Sequence, residues 1–289
     1  MSENPAPRRL WTAARPPNLS SQVRLAQVGD HLSSSSSSAA TAAAAAQPAT
    51  AMSAPHVTVH WLEDSRAQRI VWLLQELGID YEVKHYKRDP KTLLGPKELY
   101  DVHPLGKSPT VVVRNNGESV TLAESGAIVE FLIERYGADK LAVSPSSGSM
   151  QDRADYLYWL HYAEGSAMLP NMLAMVFGRL PAQAPWFLRP VLQSVSTGAL
   201  DKMIVPRLKA QYGWIERNLE GKDYFVAGKL TGADIMMSFV AEILDASPVN
   251  KADFPNISRW HTAMVQRPAY KEALEKGGEN NMGRFTQRE

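Results

Sequence analysis

Residues 103–110, HPLGKSPT, and residues 122–132, LAESGAIVEFL, decide the fold. A turn-forming Pro-x-Gly runs into Lys107-Ser108-Pro109. A short apolar strand follows over Thr110–Val113, then a polar turn at Asn115-Asn116-Gly117 and a second short strand. That hairpin leads directly into Glu124-Ser125, which opens an amphipathic helix. One extended backbone edge and one helix N-terminus therefore lie side by side. A helix N-terminus carries unpaired N–H groups and the positive end of a dipole, so it favours a carboxylate. An extended edge can pair with a peptide as an added strand. A short peptide with a free carboxylate and a free amine suits both features.

Upstream, residues 56–61 (HVTVHW) alternate as a half-buried strand does. Ser65 opens a helix that stops at Gly78, and a second strand runs over Tyr81–Tyr86. After a Pro- and Lys-rich connection come the hairpin and the Glu124 helix, which ends near Tyr136-Gly137. The order is βαβ, an irregular segment, then ββα. This suits a single α/β layer pair.

Residues 141–149 are rich in Ser, Gly and Pro and read as a linker. Beyond them the pattern is helical throughout. Residues 150–180 place apolar side chains at helical spacing, with Pro170 expected to kink or split the run, and residues 187–220 form a second run interrupted around Pro206. Near the end, Thr231 can cap a helix while Asp234, three residues on, returns the bond; Leu230 and Ile235 flank that cap as a hydrophobic staple. We read Thr231 and Asp234 as folding determinants.

Composition narrows the function. The chain has 289 residues, a net charge of +1 and no cysteine. Disulfides, thiolate metal sites and C-x-x-C redox chemistry are excluded, so any reacting thiol must come from a ligand. The first 51 residues hold Ser33–Ser38, an alanine-rich run over Ala39–Ala46 and no periodic apolar pattern. A segment that buries so little cannot offset its ordering entropy, and disorder is expected. Four Arg against Glu3 and Asp30 leave this tail at +2 and the remainder near −1. A globular part so close to neutral has no electrostatic reason to bind nucleic acid or an anionic membrane. No apolar run reaches the ~20 residues that a membrane span needs. The tail is Arg- and Ser-rich and poor in acids, as transit peptides are, which would make the protein mitochondrial. The competing reading takes Met52-Ser53-Ala54-Pro55 as a natural start, which leaves the protein cytoplasmic.

The paired motifs resemble the glutathione-binding half of the soluble glutathione transferases. The match is strongest, in a fungal-like branch, at His60-Trp61-Leu62, Ser65-Arg66-Ala67-Gln68-Arg69 and HPLGKSP. The resemblance covers residues 56 to about 275. It implies an α/β thioredoxin-like N-terminal domain (55–140), an all-α C-terminal domain (149–280) and, ahead of both, the disordered tail (1–51). It also implies a cis bond before Pro109, Ser108 and Pro109 as the backbone reader of glutathione, Glu124 and Ser125 on its γ-glutamyl end, and Lys107 toward its glycyl carboxylate. Glutathione is then a co-substrate, with no metal, and the protein is a homodimer that pairs one copy's first domain with the other's second.

In that family a Tyr, Ser or Cys just after the first strand holds the glutathione thiolate. Here His60-Trp61-Leu62-Glu63-Asp64 contains none of them, and the first hydroxyl is Ser65. Ser65 is therefore either the thiolate donor or simply the helix N-cap, with Arg66 beside it as a charge favouring ionised sulfur. Backbone N–H groups there could serve instead, and His60 is a structural residue or a ligand contact. Glu63 and Asp64 should point to solvent or pair with Arg66 or Arg69. The electrophile pocket should be walled by Tyr158, His161, Tyr162, Met168 and Met172, unless that stripe is core. The leading expectation is an enzyme that conjugates the glutathione thiolate to small hydrophobic electrophiles in detoxification, or reduces hydroperoxides with it. The rival is a non-enzymatic protein of the same fold with a regulatory or assembly role. A glutathione-dependent isomerase or dehalogenase would use the same site.

Overall fold

The computed structural model describes residues 54–144 and 148–281. The expected N-terminal tail lies outside the described residues. Strand β1 (His56–Leu62) is buried at every position but the first, because it runs through the middle of a four-stranded sheet of order β2-β1-β3-β4. Strand β2 (Tyr81–Tyr86) pairs with it in parallel; β3 (Thr110–Asn115) and β4 (Glu118–Ala123) continue antiparallel. The hairpin turn is narrower than the sequence suggests. Asn115 still pairs with Glu118, and only Asn116 and Gly117 turn, both at positive φ (51° and 82°), as a two-residue hairpin turn demands.

Helix α1 (Ala67–Leu77) connects β1 to β2 and is buried on almost all sides. Its stop is the expected one: Gly78 at φ 70° lets the Ile79 N–H reach the Leu74 carbonyl at 3.1 Å. Helix α2 (Ser125–Tyr136) follows β4, and a short α3 (Ala138–Leu141) ends where the segment read as linker begins.

The second half is helical. Helix α4 (Met150–Tyr162) passes through a π turn, Ala163–Ala167, into α5 (Met168–Arg179); α6 (Arg189–Ala199) passes through another, Leu200–Ile204, into α7 (Val205–Asn218). The two prolines explain the pairing of these irregularities. Pro170 has no N–H for the Ser166 carbonyl four residues back, and that carbonyl instead accepts from Gln211 Nε2 at 2.9 Å. Pro206 stands in the same relation to the second turn. Helices α8 (Gly232–Ile243), α9 (Pro255–Val265) and α10 (Pro268–Gly277) complete the chain.

Helix α8 is the centre of the helical half. It is buried along nearly its whole length and packs on α1, α2 and α4 together. Its start matches the sequence reading: Asp234 Oδ2 accepts from the Thr231 N–H (2.9 Å) and hydroxyl (3.0 Å), while Oδ1 accepts from the Phe225 N–H (3.0 Å) and Trp260 Nε1 (3.3 Å). Leu230 and Ile235 are both buried. Burial pushes the Asp234 carboxyl up to about 6, against the pull of these four donors. No helix among the described residues is long and apolar enough to cross a membrane.

Candidate functional site

The end of β1 turns into α1 through Glu63–Arg66, with Asp64 at φ 52°. Helix α1 begins at Ala67, two residues later than the sequence suggested, and Arg66 at its N-cap position makes no side-chain capping bond. Ser65 therefore stands one residue outside the cap. It is buried, and its Oγ accepts from the Ala67 N–H at 3.2 Å and lies 3.3 Å from Ser108 Oγ. Ser108 gives its own hydroxyl proton to the His60 carbonyl (2.9 Å) and accepts from the Leu62 N–H (3.0 Å). The proton between the two serines is thus Ser65's. Through these bonds Ser108 locks the loop before β3 to the exit of β1.

The Ser108–Pro109 peptide is cis. Thr110 supports the same loop by donating its hydroxyl to the Lys107 carbonyl at 2.9 Å. Across from it, Glu124 holds φ 69° and ψ 114° at the start of α2, again without a side-chain capping bond. A non-glycine residue there is strained by about 1–3 kcal/mol and keeps that shape only where its surroundings enforce it. Glu124 is exposed, Ser125 is buried, and Lys107 reaches solvent.

Between these pieces lies a cavity of about 220 Å³ lined by Arg66, His103, Leu105, Lys107, Ser108, Pro109, Ala123, Glu124, Ser125 and Glu164. Six of the seven site residues expected from sequence meet there. The seventh, Ser65, sits one hydrogen bond behind the wall. Two helix N-termini without side-chain caps, those of α1 and α2, flank this space, so their orphan N–H groups and dipoles favour an anion within it.

Glu164 was not anticipated. It comes from the π turn between α4 and α5 and binds both arginines of the β1–α1 connection: Arg66 Nε at 2.8 Å and Arg69 Nη1 at 2.9 Å. The Phe239 ring lies 5.4 Å from one guanidinium and 5.1 Å from the other. Burial brings Arg69 down to about 10, with Glu164 opposing the fall. Glu164 is the one acid between Asp155 and Asp201, an isolated charge on an apolar helical stretch, and that was the available signal.

Two sequence readings need correction. Asp64 does not face solvent, and neither it nor Glu63 pairs with Arg66 or Arg69. Asp64 is buried and accepts from the Asn281 N–H, while Glu63 accepts from the Arg88 N–H at 2.7 Å. The arginines are taken by Glu164 instead. Nor do the five residues expected to wall an electrophile pocket line this cavity: Tyr162 and Met168 are in the core, as the alternative reading had it, while Tyr158, stacked on Tyr162 at 5.3 Å, His161 and Met172 face solvent. His60 is a structural residue: it is buried, with Nδ1 2.8 Å from the Tyr86 hydroxyl, and burial first and Lys84 second lower its pKa.

A thioredoxin-like layer closed by a helical bundle, with a peptide-sized cavity where they meet, defines the class of protein. Residues 55–134 match the family model described as glutathione S-transferase, N-terminal domain, and residues 172–268 match the C-terminal domain. The chain is 33% identical over 235 residues to glutathione S-transferase 1 of Saccharomyces cerevisiae, a match covering 78% of this chain and 97% of that one. It is also 33% identical to a crystal structure of a glutathione S-transferase from Actinobacillus pleuropneumoniae, with a TM-score of 0.62 and coverage of 79% and 96%. A sphingomonad glutathione S-transferase complexed with glutathione shares the fold, at 20% identity, a TM-score of 0.54 and coverage of 76% and 98%. The chain belongs to the glutathione S-transferase family.

Proposed function

We propose that this protein binds glutathione in the cavity between Lys107 and Glu124 and conjugates its thiolate to small apolar electrophiles, the same thiolate serving to reduce hydroperoxides. The observation that carries the reading is the assembly of Arg66, Lys107, Ser108, Pro109, Glu124 and Ser125 around one space flanked by two uncapped helix starts. In this reading Ser125 and Glu124 hold the γ-glutamyl end, the backbone at Ser108 pairs with the cysteinyl unit, and Lys107 meets the glycyl carboxylate. A free thiol has a pKa of ~8.5, and hydrogen-bond donors with a helix N-terminus lower it. Catalysis then consists of positioning a thiolate in a field that favours it. Two copies act together, the first domain of each against the second domain of its partner.

The rival reading, a non-enzymatic protein that keeps the ligand site, draws on one observation. Ser65 is buried with its hydroxyl already engaged, and Arg66 is largely neutralised by Glu164. The deciding assay is glutathione-dependent conjugation of a chloronitroaromatic electrophile scanned from about pH 6 to 9. Turnover above the uncatalysed rate with an apparent pKa below that of free glutathione supports the enzyme. Tight glutathione binding without turnover on electrophiles or hydroperoxides gives the rival.

A further inference from the structure

The connection between α5 and α6 holds two aromatic side chains out in water. Trp186 is 80% exposed and Phe187 61%, their rings meeting edge-on at 5.9 Å. Leu188 follows, then Val191 and Val195 one turn apart along α6, all exposed. Pro185 and Pro190 bracket the pair, and Arg189 Nε donates to the Ala184 carbonyl at 3.1 Å, so the base of the loop is tied while its tip stands clear. Apolar residues scattered singly on a surface need no account, but five between positions 186 and 195 do.

Along this stretch of the chain the charge is one-sided. From Gly165 to Leu200 the sequence has no Asp or Glu, and its only charges are Arg179 and Arg189. Asp201 and Lys202 cancel just beyond. The near-neutral total for the whole chain conceals this acid-free stretch.

Two occupants can be weighed by area. With aromatic side chains presenting roughly 200 Å² each, the exposed part of the pair amounts to roughly 300 Å², to which the smaller exposed parts of Leu188, Val191 and Val195 add. A standard protein interface buries about 800 Å² per partner and needs a matching pocket. A lipid surface needs no shape match, and it takes Trp and Phe at the boundary between headgroups and acyl chains, with neighbouring guanidinium groups on the phosphates. We propose that residues 185–195 are a peripheral membrane-docking tip. Trp186, Phe187 and Leu188 enter the headgroup boundary of an anionic bilayer, and Arg189 and Arg179 meet its phosphates.

Flotation of the full chain with extruded phosphatidylcholine vesicles, with and without about 30% phosphatidylserine, tests this. The chain should float with the anionic vesicles. The double variant Trp186→Ser/Phe187→Ser should lose about tenfold in bound fraction, with circular dichroism and melting temperature unchanged because both side chains are exposed. Arg189→Gln should weaken binding to the anionic vesicles and leave the neutral ones as they were. A full chain that never floats overturns the proposal, as does a double variant that floats like the parent. If the double variant instead loses self-association in sedimentation velocity while the parent does not float, the occupant is a second copy of this chain.

Discussion

Helices α8 and α1 both start behind a hydroxyl residue with acids close by, and they use them differently. At α8, Asp234 gathers four donors, from Thr231, Phe225 and Trp260, so its start is closed from within. Helix α4 does the same with Ser149 and Asp152. At α1 the N-cap position holds Arg66 with no capping bond, Ser65 serves only the Ala67 N–H, and the nearby acids face other partners. Helix α2 is likewise uncapped, behind a strained Glu124. Of these four starts, the two closed ones lie in the helical half and the two open ones flank the cavity. An unsatisfied helix end is a cost to folding that a bound anion can offset.

The largest effect should come from opening a closed start. Asp234→Ala leaves buried donors without an acceptor and should lower stability by about 3–5 kcal/mol in urea unfolding. A loss below about 1 kcal/mol would erase the distinction between the two kinds of helix start. The converse change is Glu124→Gly, at a backbone shape only glycine adopts freely. It should raise stability by about 1 kcal/mol while weakening glutathione binding about 10–100-fold by calorimetry, since a charge-assisted contact is lost. If stability and affinity fall together, the strain at Glu124 is not held for the ligand.

What could be read from sequence divides along the same line. The Gly78 stop and the Thr231–Asp234 start are local signals, each complete within a few residues; the βαβ–ββα order is a succession of such signals, and the part played by the Ser108–Pro109 loop came from the resemblance. Glu164 reaching Arg66, and Asn281 reaching Asp64, join residues 98 and 217 positions apart, and no periodicity carries such information. The stripe containing Tyr162 and Met168 shows the remaining difficulty. A 3.6-residue period says that a face is apolar, and it does not say whether core or cavity lies against it. Pro170 and Pro206 announced interruptions, but a kink and a π turn have the same sequence signature.

The two acids of α8, Asp234 buried and Glu242 half-buried, extend the comparison along one helix. Glu242, near its other end, accepts from Asn280 Nδ2 at 3.2 Å, and burial pushes it up to about 7, with Arg69 pulling down and Asp245 and Asp64 pushing up. A carboxyl whose folded pKa lies above its unfolded value favours the folded state fully at low pH, and that contribution is lost as pH rises through the window from about 4.5 to about 7. Glu242→Gln should match the parent's melting temperature near pH 4.5. At pH 8 it should be the more stable by about 1–2 kcal/mol, a figure discounted for partial exposure. Asp234 keeps part of the slope below about 6 in both proteins. Equal pH dependence would mean that Glu242 stays ionised throughout.

The smallest and most discriminating change is Ser65→Ala, because Ser65 sits between the two kinds of helix start. As a donor, its hydroxyl must turn from Ser108 Oγ, 3.3 Å away, toward a sulfur in the cavity. Ser108 keeps its bonds to the Leu62 N–H and the His60 carbonyl, so the exchange costs one long hydrogen bond. The variant should then lose about tenfold in kcat/KM near pH 6.5, about 1.4 kcal/mol. The loss should shrink as pH approaches the free-thiol value of ~8.5, where the thiolate no longer needs the donor. A residue that only supports the helix start behaves differently. Stability falls by about 0.5–1 kcal/mol while the pH–rate profile stays in place. In that case the orphan N–H groups of α1 hold the sulfur by themselves, and the open start is the whole of the thiolate site.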